Sequence, residues 1–136
     1  MPEYVPAKGF KEMENLLKIH DKKRVPIYIY FYGEKDKHGR SWCIDCVEAE
    51  ETIMAAFRNN APADSLILVV DVGNREFWMD KENSFRSPPY SVDGIPALLH
   101  WKGVERLDGD QLRKPNLLEL FFEETSTQKS TATTAQ

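Results

Sequence analysis

The sequence predicts an α/β domain in which a central mixed sheet is covered on both faces by helices, and three observations lead there. The run Ser65 to Val72 is almost continuously apolar and too short for an ordinary helix, as a strand buried on both faces is. Segments with apolar residues at i, i+3 and i+4 alternate with such strands. A hairpin pattern followed by one more helical pattern closes the chain.

Taken in order, Tyr4-Val5 is a weak strand candidate, and Phe10, Met13 and Leu17 recur at helical spacing after Gly9, predicting a helix to about His20. Val25 to Tyr32 is β-branched and aromatic, follows a basic loop and stops at Gly33, as a strand should. From Cys43, the residues Val47, Glu50, Ile53, Met54 and Phe57 predict a long helix, ending near Asn59-Asn60 because Pro62 blocks extension. Phe77 to Ser91 reads as a short helix plus loop. Ala97 to Trp101 and Val104 to Leu107, split by Lys102-Gly103, read as an antiparallel hairpin. Pro115 suits a first helical position, and Leu117, Leu118, Phe121 and Phe122 supply the apolar face of a closing helix. This order is the thioredoxin-like arrangement: a mixed sheet flanked by helices, with a C-terminal hairpin and helix.

With 136 residues, 41% of them hydrophobic, the chain suits one domain rather than two. The expected folded unit ends at Glu124, because residues 125–136 hold no large apolar side chain to offset ordering entropy and so read as a flexible tail. The net charge of -4 arises from interspersed signs, which argues against nucleic-acid or anionic-membrane partners. No signal-like start and no apolar run of about 20 residues is present, so a cytoplasmic, non-membrane protein is expected; a monomer is expected as well.

Both cysteines fall in one unit, Cys43-Ile44-Asp45-Cys46, at the predicted start of a helix. In a reducing compartment such a pair points to catalysis or metal rather than a structural bridge. A helix start presents unpaired N–H groups and the positive end of the macrodipole, and both favour a thiolate. Cys43 is expected to be exposed at the tip as nucleophile, with Cys46 turned inward as the resolving thiol. Asp45 is the nearest carboxylate to take the Cys46 proton, although an acid in the first turn is also favourable with the macrodipole alone. Trp42 either shapes a substrate groove or packs, and its position favours the groove. Lys35, Lys37, His38 and Arg40 form a polar loop whose charge could assist the thiolate or simply be solvated. Ile95-Pro96 precedes a strand. In a thioredoxin-like order a cis proline there faces the cysteines and offers the Ile95 backbone to an extended substrate.

The stretch Ser41 to Glu50, the loop Gly33 to Asp36, and the segments Asn83 to Arg86, Ile95 to Leu99 and Asn116 to Glu119 occur together in order. On these motifs residues 3–124 resemble the thioredoxin-related protein of 14 kDa (thioredoxin domain-containing protein 17) family. That resemblance implies a cytosolic disulfide reductase with no bound cofactor, recharged by NADPH through thioredoxin reductase. It implies small or selected protein disulfides, and nitrosylated or persulfidated thiols, as substrates. It also implies Cys43 as the attacking thiol, Cys46 as the resolving thiol and Pro96 as a cis proline. Two departures stand out. Ile44 replaces the family's proline, adding an N–H beside the thiolate. Relative to thioredoxin, Tyr30 stands about where a buried aspartate is expected, so Cys46 needs another proton acceptor.

Three other readings compete. A zinc half-site completed by His38 or His100 lacks a second ligand pair. A thioredoxin-like binding module would make the cysteines incidental. A thiol peroxidase usually needs a lone, cation-activated cysteine rather than a pair.

Overall fold

Strand β2 (Ile27–Tyr32) organises the molecule, because every second side chain goes to a different core. Ile27, Ile29 and Phe31 face one side, while Tyr28 and Tyr30 face the other. A strand with two apolar faces must lie inside a sheet covered on both sides. The computed structural model, which describes residues 1–134 and side chains through residue 126, has that arrangement.

Among the described residues, β1 (Glu3–Lys8), β2, β3 (Leu66–Asp71), β4 (Ala97–His100) and β5 (Arg106–Asp108) form one sheet in the order β1-β3-β2-β4-β5. The first three of that order run parallel, and β4 and β5 are added antiparallel. Helices α1 (Phe10–His20) and α3 (Arg75–Met79) cover one face with Met13, Leu17 and Trp78. Helices α2 (Ile44–Asn60) and α4 (Pro115–Thr134) cover the other with Ile53, Phe57, Leu118 and Phe122. The mixed sheet, the flanking helices and the terminal hairpin and helix all match the expected class.

The differences have physical causes. The weak Tyr4-Val5 candidate is a six-residue edge strand, Glu3–Lys8, paired with β3 along its length. Pro6 obscures it in the sequence, yet an edge strand tolerates a proline. β2 starts at Ile27 rather than Val25, after the Pro26 carbonyl accepts the Leu66 N–H. The hairpin turn is longer than expected: Lys102 takes φ of 68°, the Gly103 N–H donates to His100 O, and Val104 lies in solvent. The short helix begins at Arg75, two residues early, where the Asn74 side chain accepts the Phe77 N–H.

The tail expectation needs correction at its start. Thr125 is 3% exposed, its hydroxyl is 2.8 Å from Tyr28 Oη, and it donates to Phe122 O, so packing extends past Glu124. The rest of the expected tail, from position 127, lies outside the residues whose side chains are described.

Candidate active site

β2 delivers the chain to Gly33 at one end of the sheet's central strand, and the loop from there to Ser41 is held by its own hydrogen bonds. Asp36 Oδ1 accepts the N–H groups of His38 and Arg40, at 2.8 and 3.1 Å, and Gly39 supplies the left-handed turn with φ of 82°. Ser41, which is buried, donates from Oγ to Gly33 O at 2.7 Å and accepts the Cys43 N–H at 3.1 Å. The loop is thereby fastened directly to the residue before the helix.

Cys43 occupies the N-cap of α2, with extended backbone angles of φ -86° and ψ 105°. Its Sγ accepts the backbone N–H of Cys46 at 3.2 Å, and its carbonyl accepts that of Val47 at 3.0 Å. Sulfur thus takes the place usually filled by a Ser or Asp oxygen. A charge developing on Sγ would meet a donated N–H and the positive end of a 17-residue helix. Cys46 is one turn inside, with Cα atoms 5.2 Å apart, and the two are joined as a disulfide.

The expected exposure of Cys43 needs correction. Cys43 is 7% exposed and Cys46 is 3% exposed, so both are buried. What separates them is position: Cys43 lies outside the helix and accepts an N–H, whereas Cys46 lies within the first turn.

The Ile95-Pro96 peptide is cis, and the Ile95 carbonyl oxygen lies 3.7 Å from Cys43 Sγ. Ladder pairing on β4 starts only at Ala97, which leaves Ile95 outside it. The segment leading to this proline is tied down by two arginines. Arg86 stacks on Trp78, donates to Trp78 O through Nε and Nη2, and donates to Asp93 O through Nη1 at 3.3 Å. Arg106 donates to the carbonyls of Tyr90 and Ser91, each at 3.2 Å. Sequence reasoning gave neither arginine a role. Arg106 also bonds Asp108 two residues on, but the two carbonyls it holds lie fifteen or more residues away, so no local signal marks that role.

Trp42 is half-buried, and its indole N–H donates to Gly73 O at 2.9 Å. The same residue lines a cleft with Glu34, Arg40, Ile44, Asn74 and Arg75. Packing and groove are therefore both features of one pinned side chain. Asp45 is exposed in the first turn of α2. Lys37, His38 and Arg40 are exposed, and Lys35 Nζ is 2.6 Å from Glu50 Oε2. His100 is not near the cysteines: it pairs with Tyr28 at the opposite end of the sheet and bonds Glu105 at 2.8 Å. Tyr30 is buried beneath α2; burial pushes its phenol up, and the charges of Glu50 and Tyr32 add to this.

Residues 6–124 match the family described as thioredoxin domain-containing protein 17-like, thioredoxin domain. The chain is 33% identical over 122 residues to thioredoxin domain-containing protein 17 of Danio rerio, covering 90% of this chain and 96% of the relative. Against the protein of the same name from Mus musculus it is 34% identical over the same lengths and shares. It is also 30% identical over 96 residues to the thioredoxin-like protein Clot of Arabidopsis thaliana, covering 67% of this chain and 71% of that one.

Proposed function

This chain belongs to the thioredoxin domain-containing protein 17-like family, and on that premise we propose that it is a cytosolic thiol–disulfide oxidoreductase working as a reductase. The observation that carries this reading is the N–H of Cys46 donated to Cys43 Sγ at the helix start, with Cys46 one turn behind. That arrangement lowers the cost of a thiolate where it must form and puts its partner within bonding reach.

In the proposed cycle the Cys43 thiolate attacks one sulfur of a substrate disulfide and releases the first substrate thiol. Cys46 then loses its proton and attacks Cys43 Sγ, which releases the second thiol. The protein disulfide forms, two electrons having passed to the substrate. The Ile95 backbone, outside the ladder and beside Cys43, suits pairing with an extended segment of the substrate, with Pro96 holding it there. Trp42 and Ile44 border the approach. Thioredoxin reductase, drawing on NADPH, is the proposed source of electrons, and small or selected protein disulfides are the proposed substrates.

The test is turnover. With NADPH and thioredoxin reductase the oxidised protein should be reduced and should then consume a small disulfide, while Cys43→Ser should lose all turnover and Cys46→Ser should trap substrates on Cys43. A binding module would retain its partners after Cys43→Ser. An inert protein with an intact Cys43–Cys46 bridge would defeat the reductase reading.

A further inference from the structure

The resolving step needs a base, and the two groups the sequence brings to mind are poorly placed for it. β2 carries a phenol, Tyr30, where a carboxylate would serve. Asp45 is exposed at the second helical position and makes no hydrogen bond among the described residues.

Glu50 is the carboxylate on the Cys46 side of the helix. It stands at i+4, a spacing that puts two side chains on one face with Cβ atoms about 5–6 Å apart. Helical side chains lean toward the N-terminus, so a glutamate there reaches back over the turn containing the cysteine. Its partner confirms that direction. Glu50 Oε2 is 2.6 Å from Lys35 Nζ, and Lys35 belongs to the loop that leads into the motif. The Glu50 side chain is 38% exposed, so water reaches it, and Oε1 carries no bond among the described residues. Tyr30 and Tyr32 of β2 face the same carboxylate. Burial raises both phenols first, Glu50 adds to each, and Asp71 adds at Tyr32.

We propose that Glu50, held by Lys35, accepts the proton of Cys46 through one bridging water during resolution of the mixed disulfide. The proposal rests on the dithiol reading above. In the step, the Cys46 S–H proton passes by way of the water to Glu50, and the Cys46 thiolate forms the S–S bond to Cys43. The bond between Cys43 and the substrate sulfur breaks, its electron pair leaves with that sulfur, and the proton on Glu50 returns to solvent.

A single turnover of the pre-reduced protein with the chromogenic disulfide of thionitrobenzoate separates the steps. One coloured thiolate leaves when Cys43 attacks, and the second leaves when Cys46 resolves. Near neutral pH, Glu50→Gln should keep the first phase and slow the second by roughly tenfold or more, as loss of a general base does. Glu50→Asp should recover part of the second phase. The deficit should close above about pH 9, where the thiol ionises unaided. A merely structural role would slow both phases, move the melting temperature and leave the pH profile unchanged, and that would overturn the proposal. An unslowed second phase in Glu50→Gln, or a slowed one only in Asp45→Asn, would overturn it too. If the wild-type protein releases no second equivalent at all, the dithiol reading itself fails, a result distinct from these.

Discussion

The indole of Trp42 lies across Gly33 so closely that a Cβ on Gly33 would sit 2.8 Å from Trp42 Cε2. The ring cannot simply swing away, because its N–H is donated to Gly73 O on a different strand exit. The end of β2, the end of β3 and the residue before Cys43 are thus locked by one side chain.

Gly33→Ala should therefore misplace the motif rather than merely crowd it. Overpacking of this kind costs about 1–3 kcal/mol. A melting curve should show that loss, and disulfide turnover should fall beyond what the unfolded fraction explains. Unchanged turnover in the folded variant would show that Trp42 can move without consequence.

The contact that carries packing past Glu124 makes a second prediction. In Thr125→Val the buried Tyr28 hydroxyl loses its partner in α4, and a buried unsatisfied hydroxyl costs about 1–3 kcal/mol. Truncation after Glu124 should cost at least as much by denaturant titration. Full stability of the truncated chain would restore the tail boundary expected from composition.

Acid sensitivity should reside partly in the hairpin turn. Burial is the largest single influence and would raise the Glu105 carboxyl, but the hydrogen bond from His100, the backbone hydrogen bonds at Glu105 and Val104 and the charge of His100 together outweigh it and hold the group below its ordinary value of 4.5. A carboxyl depressed on folding adds stability that is present above its unfolded value and is lost as pH falls through the folded one. Glu105→Gln should accordingly lower stability near neutral pH and flatten the decline of stability below about pH 4.5. Parallel acid-denaturation curves for the two proteins would contradict this.

Ile44 sits at the first helical position, 56% exposed, where proline is sterically welcome. Ile44→Pro should fold normally and remove one N–H near Cys43 Sγ. With less support for the thiolate, the disulfide is relatively favoured, so the reduction potential should become more negative by about 10–30 mV. Equilibration against a glutathione series measures this, and a shift to more positive values would reverse the assigned role of that N–H.

Much of this molecule was legible in the order of its residues. The apolar run at β3, the helical spacing around Met13 and Ile53, and proline at the head of α4 identify their elements, because each pattern has one economical way to bury its face. The cysteine pair at a helix start was legible for the same local reason, and the proposed dithiol chemistry rests on it. Asn74 and Asn83, whose side chains accept the N–H groups of Phe77 and Phe85, are helix-start signals within and just before the segment read as a short helix plus loop.

Tertiary structure alone decided the rest. Whether Glu3–Lys8 forms a strand depended on an open edge of β3, which no local pattern reveals. Burial of Cys43 depended on the cis-proline loop, and that loop is held by Arg86 and Arg106. That Glu50 turns toward the loop before the motif followed from its contact with Lys35. The sequence by itself determined most of the elements and put both cysteines at a helix start, since propensity and capping act over a few residues. The neighbours of those atoms come from distant segments meeting at one end of the sheet, so their identity waits on the fold.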